Sequence, residues 1–270
     1  MEDFIQELKD NGLVEGEWTP EQVSVVLKTF AERFPFENVD AVCRVEGRVT
    51  ADFLKEKLID SRRGGLCYEI NGLLYVVLKK LGFHVNLGAA TIYNDGKWAL
   101  DRTHAMVLLT LEGKRYVADS GFGNRLALSP LLLDGEAVIS PAGTFRLRTR
   151  ETEKGSIALE SQNEQGDWEL RYAFDWEAIE WQELTRMKQD IHEHPNSAFN
   201  KNMLIARVLP DGTQSISEER IHRKWMNGRE ETIAFDTKEA MVEAIRQECS
   251  PAIAEEAAKY IVNHHKRAAN

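Results

Sequence analysis

The spacing of hydrophobic residues changes twice along the chain. Up to about residue 83, apolar residues recur at intervals of three and four, as in QVSVVLKTF, and this spacing predicts helices with one buried face. From there to about residue 172, apolar and polar residues alternate in short runs separated by Asn, Asp and Gly, which is typical of antiparallel strands in a small barrel or sandwich. After about residue 189, an alternating run with a hairpin turn at Asp211 and Gly212 precedes a closing helix from about Thr237. The pattern therefore predicts three packed subdomains.

Two threonines mark predicted helix starts. Thr19 precedes Pro20, and Thr50 precedes the helical run ADFLKEKLID. A threonine at this position accepts a hydrogen bond from a backbone N–H group of the first turn. Proline is tolerated as the first helical residue because no helical hydrogen bond needs its missing N–H. We therefore expect helices to begin after Thr19 and Thr50, and a further helix to begin near Cys67.

The charge of the chain limits its partners. There are 44 acidic and 34 basic residues, for a net charge of −10, which argues against a broad surface for nucleic acid or an acidic membrane. The N-terminus is acidic and amphipathic, and no apolar run approaches the ~18 residues of a membrane span. We expect a cytoplasmic protein with neither a nucleic-acid nor a membrane partner.

The three cysteines are too far apart in sequence to form a recognisable set. Cys43, Cys67 and Cys249 are odd in number and match neither a disulfide framework nor a zinc-ligand spacing. Cys67 alone follows two glycines and starts an amphipathic helix, where free N–H groups and the helix dipole favour a thiolate. Gly64 and Gly65 are predicted to let a substrate approach the backbone. The alternative is that Cys67 only packs in the core, which is the role we predict for the other two cysteines.

A predicted hairpin brings a histidine and an aspartate together. Two alternating runs flank a Glu-Gly turn in THAMVLLTLEGKRYVADSGFG. With a two-residue loop, Leu111 faces Lys114, and counting outwards places Met106 opposite Asp119, with His104 on the same face and diagonal to Asp119. Diagonal Cα atoms lie about 7–8 Å apart, a gap that these two side chains can close with a hydrogen bond. One further loop residue would reverse the faces.

Cys67, His104 and Asp119 have the chemistry of a nucleophile, a base and a group that orients the base. An imidazole takes the proton of the thiol, and a carboxylate fixes its tautomer and stabilises the imidazolium. Taken singly, His104 is equally an exposed surface histidine and Asp119 a residue that starts a turn. Sequence spacing does not reveal whether the Cys67 helix packs against the hairpin.

Four short stretches resemble the arylamine N-acetyltransferase family. They are RGGLCYEING from Arg63, the His104 strand with DSGFG from Asp119, PFEN from Pro35 and HPNSAFNKN from His194. The resemblance implies an α+β fold with a papain-like Cys-His-Asp core. It implies a helical domain over residues 1–83, an antiparallel β-barrel over 84–188 and an α/β lid over 189–270.

The resemblance also implies a reaction. The family transfers an acetyl group from acetyl-CoA to aromatic amines or hydrazines by a ping-pong mechanism with an acetyl-cysteine intermediate, here on Cys67. Acetyl-CoA would be a co-substrate, with no bound cofactor and no metal. By resemblance, the site residues beyond the triad are Phe36 and Phe122 for the acceptor, and Thr103, Ser197 and Phe199 for CoA.

Two other functions use parts of the same pattern. A cysteine hydrolase acting on amides or thioesters would use the same triad, because catalytic geometry alone does not choose between water and an amine. A binding module with a degenerate triad is a further alternative, and the intact Cys67, His104 and Asp119 argue against it.

Two histidine-containing stretches suggest metal ligands or helix-end charges. For HEHP, from His192 to Pro195, no other ligand residue recurs at a useful spacing, so we predict a solvent-exposed loop. His264 and His265 are predicted to end an amphipathic helix, where positive charge suits the dipole.

Overall fold

The computed structural model describes residues 1–268, and their side chains up to residue 262. His264 and His265 lie outside the described side chains. The helices are α1 (Glu2–Asp10), α2 (Pro20–Arg33), α3 (Val39–Cys43), α4 (Ala51–Leu54), α5 (Cys67–Lys80), α6 (Gln182–Glu193), α7 (Lys238–Glu248) and α8 (Pro251–Ala268), and α4 continues as a π-helical segment, Lys55–Asp60. Within the described chain, no helix is long and apolar enough to cross a membrane.

The predicted helix starts are confirmed. The Thr19 side chain accepts a hydrogen bond from the Gln22 N–H at 3.4 Å, and the Thr50 side chain accepts one from the Phe53 N–H at 3.1 Å. Helix α5 begins at Cys67, as expected. These starts are local because a side chain and the first turn that it caps are only a few residues apart.

A nine-stranded antiparallel sheet follows α5 in the described chain. In spatial order β6-β5-β4-β2-β10-β9-β8-β7, it coils so that Leu133, just after β6, bridges Leu147 of β8, and the barrel is nearly closed. Its strands are β2 (Val85–Asn94), β3 (Lys97–Trp98, paired only with β2), β4 (His104–Leu111), β5 (Lys114–Ala118), β6 (Leu131–Leu132), β7 (Val138–Ser140), β8 (Gly143–Thr152), β9 (Gly155–Gln162) and β10 (Trp168–Phe174).

The predicted hairpin register is confirmed. Leu111 of β4 pairs with Lys114 of β5, and the two turn residues, Glu112 and Gly113, both have positive φ, at 49° and 74°. This is the backbone that a two-residue hairpin turn requires, and glycine at its second position carries no steric cost.

A second, five-stranded sheet joins the two ends of the chain. Its order is β1-β11-β12-β13-β14, in which β1 comes from the helical part. The strands are β1 (Phe36–Glu37), β11 (Leu204–Leu209), β12 (Gly212–Ser217), β13 (Arg220–Trp225) and β14 (Glu230–Ala234). Met203, Ile216, Met241 and Ile253 contribute to the buried core between this sheet and helices α7 and α8.

The architecture is the predicted α+β one, with two corrections in the last part of the chain. Leu209 pairs with Gly212, so the hairpin turn lies at Pro210 and Asp211 rather than at Asp211 and Gly212. Gly212 is needed in the strand because a Cβ there would lie 2.3 Å from the Lys224 carbonyl oxygen. The closing helix is two helices, since a proline at 251 cannot continue α7. The predicted domain boundary at 188/189 falls inside α6, and the boundaries stay a prediction.

Candidate active site

Cys67 lies at the wall of a cavity, at the start of α5. It is 6% exposed, and its Sγ–H donates to the carbonyl oxygen of Thr103, just before β4, at 3.5 Å. The inward face predicted for this residue therefore turns towards the barrel strand that carries His104.

The two glycines before Cys67 have a different role from the predicted one. A Cβ on Gly64 would lie 1.9 Å from the Pro35 carbonyl oxygen, and one on Gly65 would lie 2.6 Å from Glu69 Oε2. The Gly65 N–H donates to the same Pro35 oxygen at 3.2 Å. The prediction that these glycines make room for a substrate is wrong, because the space is filled by the protein's own backbone and by a buried carboxylate.

A buried ion-pair cluster surrounds this entry to α5. We call it the anchoring cluster, and its members are Glu37, Asp40, Lys57, Arg63 and Glu69. Arg63 pairs with Glu37 at 2.6 Å and Asp40 at 2.7 Å, while Lys57 pairs with Asp40 at 2.8 Å and Glu69 at 2.7 Å. Burial opposes the charge of Asp40, but Lys57 and Arg63 hold the pKa of that carboxyl below its usual range.

The anchoring cluster positions the start of α5. Oε2 of Glu69 accepts a hydrogen bond from the Leu66 N–H at 2.8 Å, one residue before the cysteine. A carboxylate at this third helical position satisfies a backbone donor that the helix itself leaves unpaired. The cluster thus fixes the position of the backbone that carries Cys67.

Asp119 receives four hydrogen bonds. His104 Nε2 lies 2.8 Å from Asp119 Oδ2, and the Tyr172 hydroxyl donates to the same oxygen at 3.3 Å. Asn71 Nδ2 and the Gly121 N–H each donate to Oδ1 at 2.8 Å. Burial favours the neutral acid, yet the charge of His104 and these donors lower the pKa of Asp119, so the group is a carboxylate.

His104 is 3% exposed and lies between the carboxylate and the thiol. Burial acts to lower the pKa of His104, but the charge of Asp119, the hydrogen bond with it and the interaction with Cys67 raise the pKa to about 10. Because Asp119 occupies Nε2, the other ring nitrogen, Nδ1, is the one available to the Cys67 thiol. The arrangement keeps the imidazole of His104 protonated and holds its ring between the Cys67 sulfur and the Asp119 carboxylate.

Asn71 joins the Cys67 helix to the hairpin. It lies one turn after Cys67, and besides Asp119 its Nδ2 contacts the carbonyl oxygen of Ala105 at 2.7 Å, while its Oδ1 accepts from the Ser120 N–H at 2.9 Å. Gly121 permits the approach, since a Cβ there would lie 2.7 Å from the Cys67 Cα atom.

Sequence reasoning missed the contribution of two residues. Asn71 carried an available signal, because position i+4 places it on the same face of α5 as Cys67. Tyr172, in β10, lies 53 residues from Asp119 along the chain and carried none.

The cavity has a volume of about 390 Å³ and is lined by all five residues that the resemblance assigns to the acceptor and to CoA. Phe36, Phe122, Thr103, Ser197 and Phe199 all line it, together with Cys67 and His104. The Phe122 ring centre lies 5.2 Å from that of His104, and Phe36 and Phe199 are 5.5 Å apart. The other lining residues are Ile92, Asn94, Ala99, Leu100, Gly121, Gly123, Asn124, Arg125, Ile191, Asn196, Ala198, Leu204 and Ala206.

The remaining candidate residues lie elsewhere. Cys43 and Cys249 pack against the buried core between the five-stranded sheet and helices α7 and α8. Burial raises the pKa of both thiols, that of Cys249 to about 12. The prediction of an exposed loop is wrong for His192, which is buried in α6 with the Tyr68 hydroxyl 2.8 Å from its Nε2. Burial and Lys188 lower the pKa of His192 to about 4. Among the described residues, no group of three or more His, Cys, Asp or Glu side chains could hold a metal ion.

Comparison with known proteins agrees with this geometry. Residues 21–253 match the N-acetyltransferase family. The uncharacterized acetyltransferase YvcN of Bacillus subtilis is 42% identical over 208 residues, which cover 74% of this chain and 82% of that protein. The arylamine N-acetyltransferase / N-hydroxyarylamine O-acetyltransferase of Salmonella typhimurium is 34% identical over 181 residues, covering 66% of this chain and 63% of that protein.

A solved structure extends the comparison to the fold. An arylamine N-acetyltransferase from Bacillus cereus with a Cys-His-Glu catalytic triad superposes with a TM-score of 0.84 and 31% identity, over 93% of this chain and 99% of that one. In the present chain the carboxylate on His104 comes from an aspartate. Because the family match spans well over half of the sequence, this chain is an acyltransferase and belongs to the N-acetyltransferase family.

Proposed function

We propose that the protein transfers an acetyl group from acetyl-CoA to an aromatic amine or hydrazine through an acetyl-cysteine on Cys67. The observation that carries the proposal is the meeting of Cys67 and His104 at the wall of one largely apolar cavity, with Asp119 hydrogen-bonded to His104. The names of the relatives from Salmonella typhimurium and Bacillus cereus support the acceptor class.

In the first half-reaction, Cys67 reacts as a thiolate beside the protonated imidazole of His104 and attacks the thioester carbon. The C–S bond to CoA then breaks, the CoA sulfur takes the proton from His104, and the acetyl group stays on Cys67. Asp119 holds the imidazole in place and stabilises its charge. Two thioesters are exchanged, so this half-reaction is close to thermoneutral.

In the second half-reaction, the acceptor nitrogen attacks the acetyl carbon. His104 takes a proton from the amine, the C–S bond to Cys67 breaks, and the thiol is restored as the amide leaves. We assign Phe36 and Phe122 to the aromatic part of the acceptor because both line the cavity and Phe122 contacts the His104 ring.

We assign Thr103, Ser197 and Phe199 to contacts with CoA, since all three line the same cavity. Two of them have a structural task as well. The Thr103 hydroxyl donates to the Leu100 carbonyl oxygen at 2.8 Å, and the Ser197 hydroxyl accepts from the Phe199 N–H at 3.2 Å. For Thr103, the contact with CoA is expected from the backbone and the methyl group because its hydroxyl proton is already used, whereas the Ser197 hydroxyl can still donate a hydrogen bond.

The mass of the intact protein tests the proposal. After mixing with acetyl-CoA and no acceptor, the wild type should gain one acetyl group, and Cys67→Ala should gain none. Cys43→Ala is the matched control, because Cys43 lies outside the cavity, and it should gain the group as the wild type does. Adding an arylamine should remove the group as acetylated amine.

Two outcomes contradict the proposal. One is the absence of an adduct on the wild type. The other is an adduct lost to water at the same rate with and without amine, which would favour a cysteine hydrolase.

A further inference from the structure

A buried hydrogen bond connects the residue that follows Cys67 with the end of α6. The Tyr68 hydroxyl lies 2.8 Å from His192 Nε2, across 124 residues of sequence. Tyr68 is fully buried and His192 is 5% exposed. Neither side chain lines the cavity, so each acts on the site only through the backbone whose position it fixes.

The charges around this hydrogen bond set its direction. Burial raises the pKa of Tyr68 well above its ordinary value, so the hydroxyl keeps its proton and donates. Burial lowers the pKa of His192 to about 4, and the charge of Lys188 acts in the same direction. Asp40 opposes this effect and Lys57 adds to it. The imidazole is therefore neutral near pH 7, and its Nε2 accepts from Tyr68.

Lys188 has a position that keeps His192 neutral. It lies one turn before His192 on the buried face of α6. Its Nζ has no hydrogen-bond partner among the described residues, and it lies 5.2 Å from the centre of the Phe53 ring. The His192 ring also interacts with the backbone of Val45, which places its single proton on Nδ1.

The end of α6 leads directly into a loop that forms part of the cavity wall. We call residues 194–203 the α6 loop, and four of its residues line the cavity: Asn196, Ser197, Ala198 and Phe199. Asn200 Nδ2 donates to the carbonyl oxygens of His192 and His194 at 3.0 Å each. These bonds join the loop to the last turn of α6, so the position of the His192 ring determines the position of the loop backbone.

We propose that the Tyr68–His192 hydrogen bond fixes the α6 loop at the distance from Cys67 that acetyl-CoA requires, which makes Tyr68 and His192 positioning residues for the acetylation step. This inference rests on the proposed function and deepens its first half-reaction. Phe36 and Phe122, which we assign to the amine, lie outside the α6 loop. Loss of the bond should therefore weaken the binding of acetyl-CoA and leave the reaction of acetyl-enzyme with amine nearly unchanged.

Single-turnover acetylation separates binding from chemistry. The rate of acetyl-enzyme formation is measured against acetyl-CoA concentration, which gives a half-saturating concentration and a limiting rate. Tyr68→Phe removes only the hydroxyl and leaves His192 Nε2 without a donor. It should raise the half-saturating concentration by about fivefold or more. The limiting rate, and the rate at which an arylamine discharges preformed acetyl-enzyme, should each change by less than about twofold.

Variants of the partner residue test whether the bond itself is responsible. His192→Gln keeps an oxygen that accepts from Tyr68 and should stay close to the wild type, whereas His192→Leu should match Tyr68→Phe. The double variant Tyr68→Phe/His192→Leu should be no weaker than either single variant, because both lose the same interaction. The matched control is Tyr75→Phe, which removes an exposed hydroxyl from the same helix and should change nothing. Thermal unfolding checks that each variant is folded.

Three results would overturn the inference. The first is a half-saturating concentration in Tyr68→Phe within about twofold of the wild type. The second is an equal fall in the limiting rate and in discharge by amine, which would indicate a general loss of structure. The third is additive effects in the double variant, which would mean that the two residues act separately. Failure of the proposed function is distinct, since the wild type would then form no acetyl-enzyme.

Discussion

Two groups of charges lie on either side of the start of α5, and they differ in how completely they are paired. In the anchoring cluster, Asp40 bridges two cations, and Glu37 and Glu69 each contact one. In the proposed catalytic group, which is Cys67, His104 and Asp119, the carboxylate of Asp119 is saturated by four donors, but His104 keeps one nitrogen for the thiol at the cavity wall. Full pairing gives a fixed position, whereas an incompletely paired group at a cavity is able to react.

The comparison also explains why both groups are buried. Burial raises the cost of every unpaired charge, so each remaining interaction becomes strong and directional. In the anchoring cluster, these strong interactions fix the backbone before Cys67. In the proposed catalytic group, they keep a proton on His104.

Asp119→Asn should remove most of the activity. The amide keeps the shape of the carboxylate but does not stabilise the imidazolium, and it favours the wrong tautomer of His104. We expect acetyl-enzyme formation to slow by about 10³–10⁴-fold, measured by quenched-flow mass analysis with acetyl-CoA. A loss below about tenfold would show that Asp119 does not orient His104.

Lys57→Met should damage stability. It leaves Asp40 without one partner and Glu69 without its cation, and breaking a buried pair in this way costs about 3–5 kcal/mol. Urea unfolding measures the loss. The matched control is Lys55→Met, whose exposed pair with Asp60 should contribute less than about 1 kcal/mol, and equal losses in the two variants would contradict a special role for the cluster.

The pH dependence of stability should report the His104–Asp119 pair. The pKa of His104 is about 10 in the folded protein, against an ordinary value of 6.5, so the folded state holds this proton more tightly. The stabilisation is complete below pH 6.5 and is lost as the pH rises through 10.

The measurement is the free energy of unfolding near neutral pH and near pH 10 for the wild type and His104→Gln. The wild type should lose about 2 kcal/mol or more beyond what the variant loses. Equal losses in both proteins would mean that the proton is not held in this way.

Ser120→Ala should have the smallest effect. The Ser120 hydroxyl is buried and has no hydrogen-bond partner within the described structure, so its removal should change the free energy of unfolding by less than about 0.5 kcal/mol or increase it slightly. Ser140→Ala is the matched control, because that hydroxyl donates to the Leu126 carbonyl oxygen at 2.7 Å and its loss should cost about 1 kcal/mol. A larger loss in Ser120→Ala than in Ser140→Ala would contradict the assignment.

Local signals predicted the elements that carry the site. Thr19 and Thr50 cap the helices expected from them. A Glu-Gly turn of two residues set the pairing of Leu111 with Lys114, and strand alternation then placed His104 and Asp119 on one face. These inferences succeeded because turn geometry and side-chain alternation act over a few residues.

The errors have a common cause. Gly64 and Gly65 were assigned to a substrate, although they face Pro35 and Glu69, and His192 was placed in solvent, although it pairs with Tyr68. In each case the decisive neighbour comes from another element. Short-range patterns do not report what packs against a residue, and tertiary contacts override local preference.

The sequence by itself determined the helices, the hairpin register, the lone cysteine at a helix start and the family resemblance, because these depend on spacing within short segments. Tertiary packing alone brings Asn71 and Cys67 of α5 together with Gly121 of the hairpin side, and it places Tyr172 of a distant strand against Asp119. Those contacts depend on how the helices, barrel and lid pack, and the packing is set by the whole buried surface rather than by any one segment.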